Sequence, residues 1–323
     1  MSLRAPVAPL AALGVLVASL AGCTAPPPRP VEAGDCLGGT VTTDGAPAPD
    51  LDALVDCTEP HGFEVIASLD LPERWTTGDE PLADRRAALL PSGGAYDDFQ
   101  AWAFRSCGEA AADETGLDGV RIASVAASRA LLRPAGAFDL EVALTSEERW
   151  AAGEARAVCA VRWTDPETAE TRPLALPEGE SFADLYDAGL PLDTRRCYAY
   201  DEEDLPAVPC DDPHWVEYVA TFDAAAVFGD EWAAAAARGL SEDAIRQLDE
   251  ACAALSPVVD GGVADPPLSY RGLPTETGWD EDGDLPGYRE VACAVAAPDS
   301  LHDDVVGSLV GIGSGAPDLV SAE

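Results

Sequence analysis

The element Cys-x-x-Pro-His-x-x-Glu occurs twice in this chain, as CTEPHGFE from Cys57 and as CDDPHWVE from Cys210. It is part of a longer repetition. Of nine cysteines, Cys23 stands near the N-terminus, and the other eight form two sets of four in matching contexts. In the first set, Cys36 follows Gly-Asp, Cys57 opens the Pro-His element, Cys107 ends FQAWAFRSC and Cys159 lies in ARAVCAV. In the second, Cys197 follows Arg-Arg, Cys210 opens the element, Cys252 ends IRQLDEAC and Cys293 lies in VACAV. A Thr and a Glu precede Trp150 and Trp279, and Arg156 and Arg289 stand ahead of the fourth cysteines. Ordered landmarks of this kind predict two homologous domains, each stapled by its own cysteines.

The first 23 residues, MSLRAPVAPLAALGVLVASLAGC, hold one arginine and then an apolar run broken by Pro6, Pro9 and Gly14. Such a run is too short and interrupted for a membrane span and suits a secretory signal. It ends in Leu-Ala-Gly-Cys, which resembles a bacterial lipobox. Residues 1–22 are therefore expected to be a lipoprotein signal peptide and Cys23 the lipidated residue, carrying acyl chains such as palmitate. Two or more chains give a stable anchor where one does not. Residues 23–33 read as a Pro-rich tether. The expected location is the extracytoplasmic side of the cell membrane, held by a lipid anchor. An oxidising compartment predicts disulfides. Pairing first with second and third with fourth gives Cys36–Cys57, Cys107–Cys159, Cys197–Cys210 and Cys252–Cys293; a first–fourth, second–third pattern also satisfies the count.

With 59 acidic against 19 basic residues, the chain carries a formal charge of −40. That excludes a basic footprint for nucleic acid. The expected divisions are domain 1 over 34–165, a Pro- and acid-rich linker over 166–193, domain 2 over 194–313 and a tail over 314–323. The Val-, Ile- and aromatic-rich runs after each Pro-His predict strands, as does FDLEVALT at 138–145. Phe99, Trp102, Ala103 and Cys107, and Ile245, Leu248, Cys252 and Leu255, fall at helical spacing. AAAVFGDEWAAAAARGL predicts one alanine-rich helix stopped at Gly239. The expected fold class is α+β: two tandem units, each a small antiparallel sheet with one or two helices and two disulfides.

Gly34-Asp35-Cys36, the run Cys57–Val65, a helical Cys107 and the T-x-E-x-x-W-x-x-G-x-x-R-x-V-C frame from Thr145 to Cys159 resemble the septum formation domain of actinobacterial envelope proteins. The second half is looser: Arg-Arg-Cys replaces Gly-Asp-Cys, Asp212 stands where Glu59 does, and Trp279–Cys293 is longer than Trp150–Cys159. The resemblance implies a role near cell division, with envelope or divisome proteins as partners.

The candidate interaction residues are His61, Glu64, His214, Glu217, Trp150 and Trp279. Cys-x3-His spacing suits zinc, but each element supplies only two ligands and its cysteine is expected in a cystine. No metal or cofactor is expected. A His–Glu dyad is a second possibility. On a strand, i and i+3 face opposite sides, unless the histidine sits just before the strand. The plainer expectation is an imidazole bonded to backbone near a disulfide, with each glutamate solvated or paired to Arg156 or Arg289. GIGSG at 311–315 lacks the nucleophile-elbow frame, and DEDGD at 280–284 lacks a calcium-loop frame. The expectation is a non-enzymatic binding or scaffold protein of the cell envelope. The alternative is an envelope hydrolase or metal-dependent enzyme using the His–Glu elements.

Overall fold

The computed structural model describes residues 29–41, 47–91, 93–165, 168, 170–187, 194–200, 205–236, 238–259, 261–262, 267–275, 289–298, 303–310 and 318–321. Cys23, Trp279 and the acidic loop after it lie outside these residues.

Strands β1 (Cys36–Val41), β2 (Pro47–Val55) and β3 (Phe63–Asp70) open the fold. A small hairpin, β4 (Arg121–Ile122) and β5 (Val125–Ala126), and the two-residue β6 (Arg133–Pro134) follow the long helix Tyr96–Glu114. Strands β7 (Phe138–Leu144) and β8 (Arg156–Trp163) complete a first sheet of order β2-β1-β3-β8-β7. Strands β9 (Arg196–Tyr198), β10 (Ala207–Val208), β11 (Val216–Asp223), β12 (Ser269–Pro274) and β13 (Glu290–Ala296) form a second, of order β10-β9-β11-β13-β12. A last pair, β14 (Asp303–Val306) and β15 (Asp318–Ser321), extends into the expected tail. All of these pairings are antiparallel. The protein is thus mixed helix and antiparallel sheet.

The two larger sheets pair alike. Cys36 lies opposite Glu64 and Cys197 opposite Glu217. Val65 faces Ala160 and Tyr218 faces Ala294; Ala67 faces Cys159 and Ala220 faces Cys293. The register slips at the same place in each, between Val65 and Ala67 and between Tyr218 and Ala220. A bulge bends the strand locally, so both central strands bend where the third and fourth cysteines meet.

Period 3.6 on a helix and period 2 on a strand bring those cysteines together. Phe99, Ala103, Cys107 and Ala111 are buried along one face of Tyr96–Glu114. In β8, Cys159, Val161 and Trp163 point to the same side and share a core with Cys107. In the second half, Ser241 caps the helix Glu242–Cys252, its hydroxyl accepting from the Ala244 amide, and Leu248, Ala251 and Cys252 turn inward. Ile245 was expected on that buried face but is 44% exposed. The cystines are Cys36–Cys57, Cys107–Cys159, Cys197–Cys210 and Cys252–Cys293, with Cα separations of 5.2 to 5.5 Å. That is the first-with-second, third-with-fourth pattern.

Four expectations need correction. The stretch 166–193 is more than a linker: its Leu176, Phe182 and Leu185 are buried with Phe138 and Trp163. Burying a side chain of this size stabilises by roughly 1.5–3 kcal/mol, which offsets the ordering of an otherwise polar segment. The boundary near 165 is crossed, because Leu117, Val120, Ile122 and Leu132 join the core of the second sheet. Strand β6 pairs with β11 there, through Thr221–Arg133 and Ala220–Pro134. The tether ends earlier than position 33: Val31 is buried against Leu37 and Phe63, and Arg29 pairs with Asp35 at 2.7 Å. Finally, the alanine-rich helix is two helices, Ala224–Phe228 and Asp230–Ala236. Gly229 between them has φ +94°, a conformation that ends a helix and favours glycine.

Candidate functional site

Both Pro-His elements sit just before a central strand. His61 forms an isolated bridge with Leu174, and His214 forms one with Val305. Proline confines the preceding residue to extended backbone. The carbonyls of those residues, Glu59 and Asp212, each accept a hydrogen bond from the imidazole Nδ1 at 2.9 Å. A carbonyl only accepts, so Nδ1 carries the proton, leaving Nε2 as the acceptor in the neutral ring. Neither Nε2 has a protein partner among the described residues. Both histidines are buried.

The glutamates are buried too, against the expectation that they stay solvated or pair with Arg156 and Arg289. Arg156 pairs instead with Asp70 at 3.0 Å, and the Arg289 amide donates to Asp223. Glu64 Oε1 accepts from the Phe182 amide at 2.7 Å, and its Oε2 has no partner among the described residues. Glu217 accepts from the Leu309 amide at 2.8 Å, from the Ser308 hydroxyl and from the Arg195 guanidinium at 2.5 Å. In both halves, then, the glutamate ties a later segment onto the central strand. Removing it would leave a buried amide unpaired, which costs about 1–3 kcal/mol.

The two sites differ electrostatically. Burial pushes the Glu64 carboxyl up to about 7, against the partial relief of the Phe182 amide, and Asp184 and Glu114 push it further. Burial also lowers the His61 pKa, opposed by its bond to the Glu59 carbonyl. A ring nitrogen of His214, a Glu217 oxygen and Cys197 Sγ lie within 4.8 Å of one another. The chemistry of this donor set does not fit a metal. Cys197 is held in a cystine, and the carboxylate is already held by Arg195, Ser308 and Leu309. Trp150, another expected interaction residue, is buried in the core with Trp75 and Phe99.

A wide cleft lies elsewhere. A cleft of about 900 Å³ runs between the segment Arg133–Leu140 and one face of the second sheet. Tyr198 and Tyr218 pack at 4.3 Å between ring centroids, and Trp215 meets Tyr200 edge-on at 5.3 Å. Tyr200 is 64% exposed. Arg133 pairs with Glu290 at 2.6 Å on the rim. These residues are not among the expected interaction residues. The signal was present as aromatic density: four of the seven Tyr and seven Trp fall between 198 and 218.

Among the described residues no helix is long and apolar enough to cross a membrane. No curated protein matches the chain. No solved structure matches it either. A family model described as Septum formation matches residues 123–293. That single span runs through the expected boundary near 165, as do the packing of Leu117–Leu132 and the pairing of β6 with β11. Covering more than half of the sequence, it shows that the chain belongs to the Septum formation family.

Proposed function

We propose that the protein is a lipid-anchored, non-enzymatic binding protein of the cell envelope, linked to septum formation and built from two copies of one α+β unit. The observation that carries the reading is the repeated His–Glu element. In each half the imidazole bonds backbone beside a cystine, and the glutamate ties down a following segment. Groups used in this way, buried in both halves, stabilise the fold and are withdrawn from substrate. The matched registers of β3–β8 and β11–β13 support duplication. Family membership supports a connection with cell division, and the lipobox-like Leu-Ala-Gly-Cys23 supports anchoring.

Two measurements on one strain test the reading. Mass spectrometry of the N-terminal peptide from membranes should show acylated Cys23, and Cys23→Ser should release the chain from the membrane fraction. A fluorescent fusion should concentrate at division sites. An unmodified Cys23 would overturn the anchor, and an even peripheral distribution with normal septa on deletion would overturn the septal link.

A further inference from the structure

We infer that the cleft between Arg133–Leu140 and the second sheet binds a neutral saccharide chain. The inference rests on reading the protein as a binding protein and gives that reading a place and a ligand class.

Comparison of the two sheets shows how the site arises. In the first, the face bearing Leu37, Val65, Val158 and Ala160 is closed by Val31 and Leu51. By register, the matching positions in the second are Tyr198, Tyr218, Ala292 and Ala294. There, among the described residues, the strand in the place of β2 is the two-residue β10, against nine residues in β2. Tyr198, Tyr218 and Trp215 remain only partly buried over small alanines. A buried aliphatic face has been exchanged for an accessible aromatic one.

Charge and hydrogen-bonding capacity narrow the ligand. Among the described residues the charged side chains lining the cleft balance, Arg133 and Arg196 against Asp139 and Glu290, in a chain of net charge −40. Arg133 is paired with Glu290 at 2.6 Å, and Asp139 is paired with Arg162 at 2.5 Å. Described charges balanced in this way select neither a strong anion nor a strong cation. A ligand must present apolar faces to tyrosine and tryptophan rings and, along its edges, groups that both donate and accept. Sugar rings do this, with C–H faces and hydroxyl edges. A proline-rich peptide suits aromatic grooves, but proline lacks the N–H. Its carbonyls only accept, so it would offer no donor to the remaining lone pairs of Asp139 and Glu290, which already accept from Arg162 and Arg133. The cleft volume lies within the range of ligand sites.

The test titrates the full chain with a hexose oligomer and with an N-acetylhexosamine oligomer of equal ring count. Readouts are tryptophan fluorescence and residue-resolved NMR shifts. Saturable binding by at least one is expected, with shifts around 196–200, 215–221, 273–275 and 290–292. Binding of the second alone assigns amino-sugar polymers, and binding of the first assigns plain polysaccharides; either supports the site. Tyr200→Ala, at an exposed position, should weaken binding roughly tenfold without moving the unfolding midpoint. The double change Tyr198→Leu, Tyr218→Val, which installs the first sheet's residues, should abolish binding in a folded protein. The inference is overturned if neither oligomer saturates, if a polyproline decamer binds in their place, or if both variants bind like the parent. Shortening of the oligomer on incubation would instead overturn the non-enzymatic reading and leave the site standing.

Discussion

Replacing Glu64 by Gln should make the protein more stable at pH 8 and leave it nearly unchanged at pH 5. The side chain is 2% exposed and its carboxyl is pushed up to about 7 from an ordinary 4.5. A carboxyl with a raised native pKa holds its proton longer folded than unfolded, so stability falls as pH rises between those two values. At about 1.4 kcal/mol per pKa unit, the cost reaches about 3 kcal/mol above pH 7 and vanishes below pH 4.5. Glutamine keeps an oxygen for the Phe182 amide and carries no charge. His61 acts in the opposite direction: its lowered pKa removes stability as pH falls below 6.5. Comparing variant with parent at equal pH cancels that contribution. Urea unfolding with cystines intact, followed by tryptophan fluorescence from pH 5 to 8, gives the difference directly. A difference independent of pH, or a variant weaker at pH 8, would refute the burial argument for Glu64.

Three further outcomes follow from packing. A Cβ on residue 272 would lie 2.5 Å from Leu248 Cβ and 2.8 Å from its carbonyl carbon, so Gly272→Ala should destabilise by about 1–3 kcal/mol in the same unfolding assay. The Cys107–Cys159 cystine spans 52 residues and Cys197–Cys210 spans 13; replacing both cysteines by alanine should cost about 4 kcal/mol for the first and about 3 for the second on loop entropy, and a reversed order would point to local packing. Arg195→Met leaves Glu217 buried without its cation and should cost about 3–5 kcal/mol, largely recovered when Glu217 is also made Gln.

Much of this architecture is written locally in the chain. Repetition confines the cystines to two within each set of four, leaving first–second with third–fourth or first–fourth with second–third; the strands after His61 and His214 follow from their β-branched and aromatic runs, and the Ser241 cap from one hydroxyl before a helical pattern. What escaped depends on tertiary context. Leu176 and Phe182 belong to short apolar groups, Leu174-Ala175-Leu176 and Phe182-Ala183, inside a Pro-rich acidic run, and nothing local says they fill a core. Gly229 reads as tolerable inside an alanine-rich helix until its positive φ is seen. Glu64 and Glu217 look like solvated strand residues, because the amides that bury them come from positions 182 and 309. The tyrosines at 198 and 218 read as ordinary strand formers, since whether a strand face is covered depends on a partner remote in sequence.

The division of labour between buried His–Glu elements and an open aromatic cleft is tested most directly by one binding isotherm, measured against isolated envelope material and normalised to the folded fraction. Tyr200→Ala should lose affinity at unchanged stability, while His214→Gln should lose stability and, in the molecules still folded, bind like the parent. Full binding by Tyr200→Ala together with loss in folded His214→Gln would contradict the account.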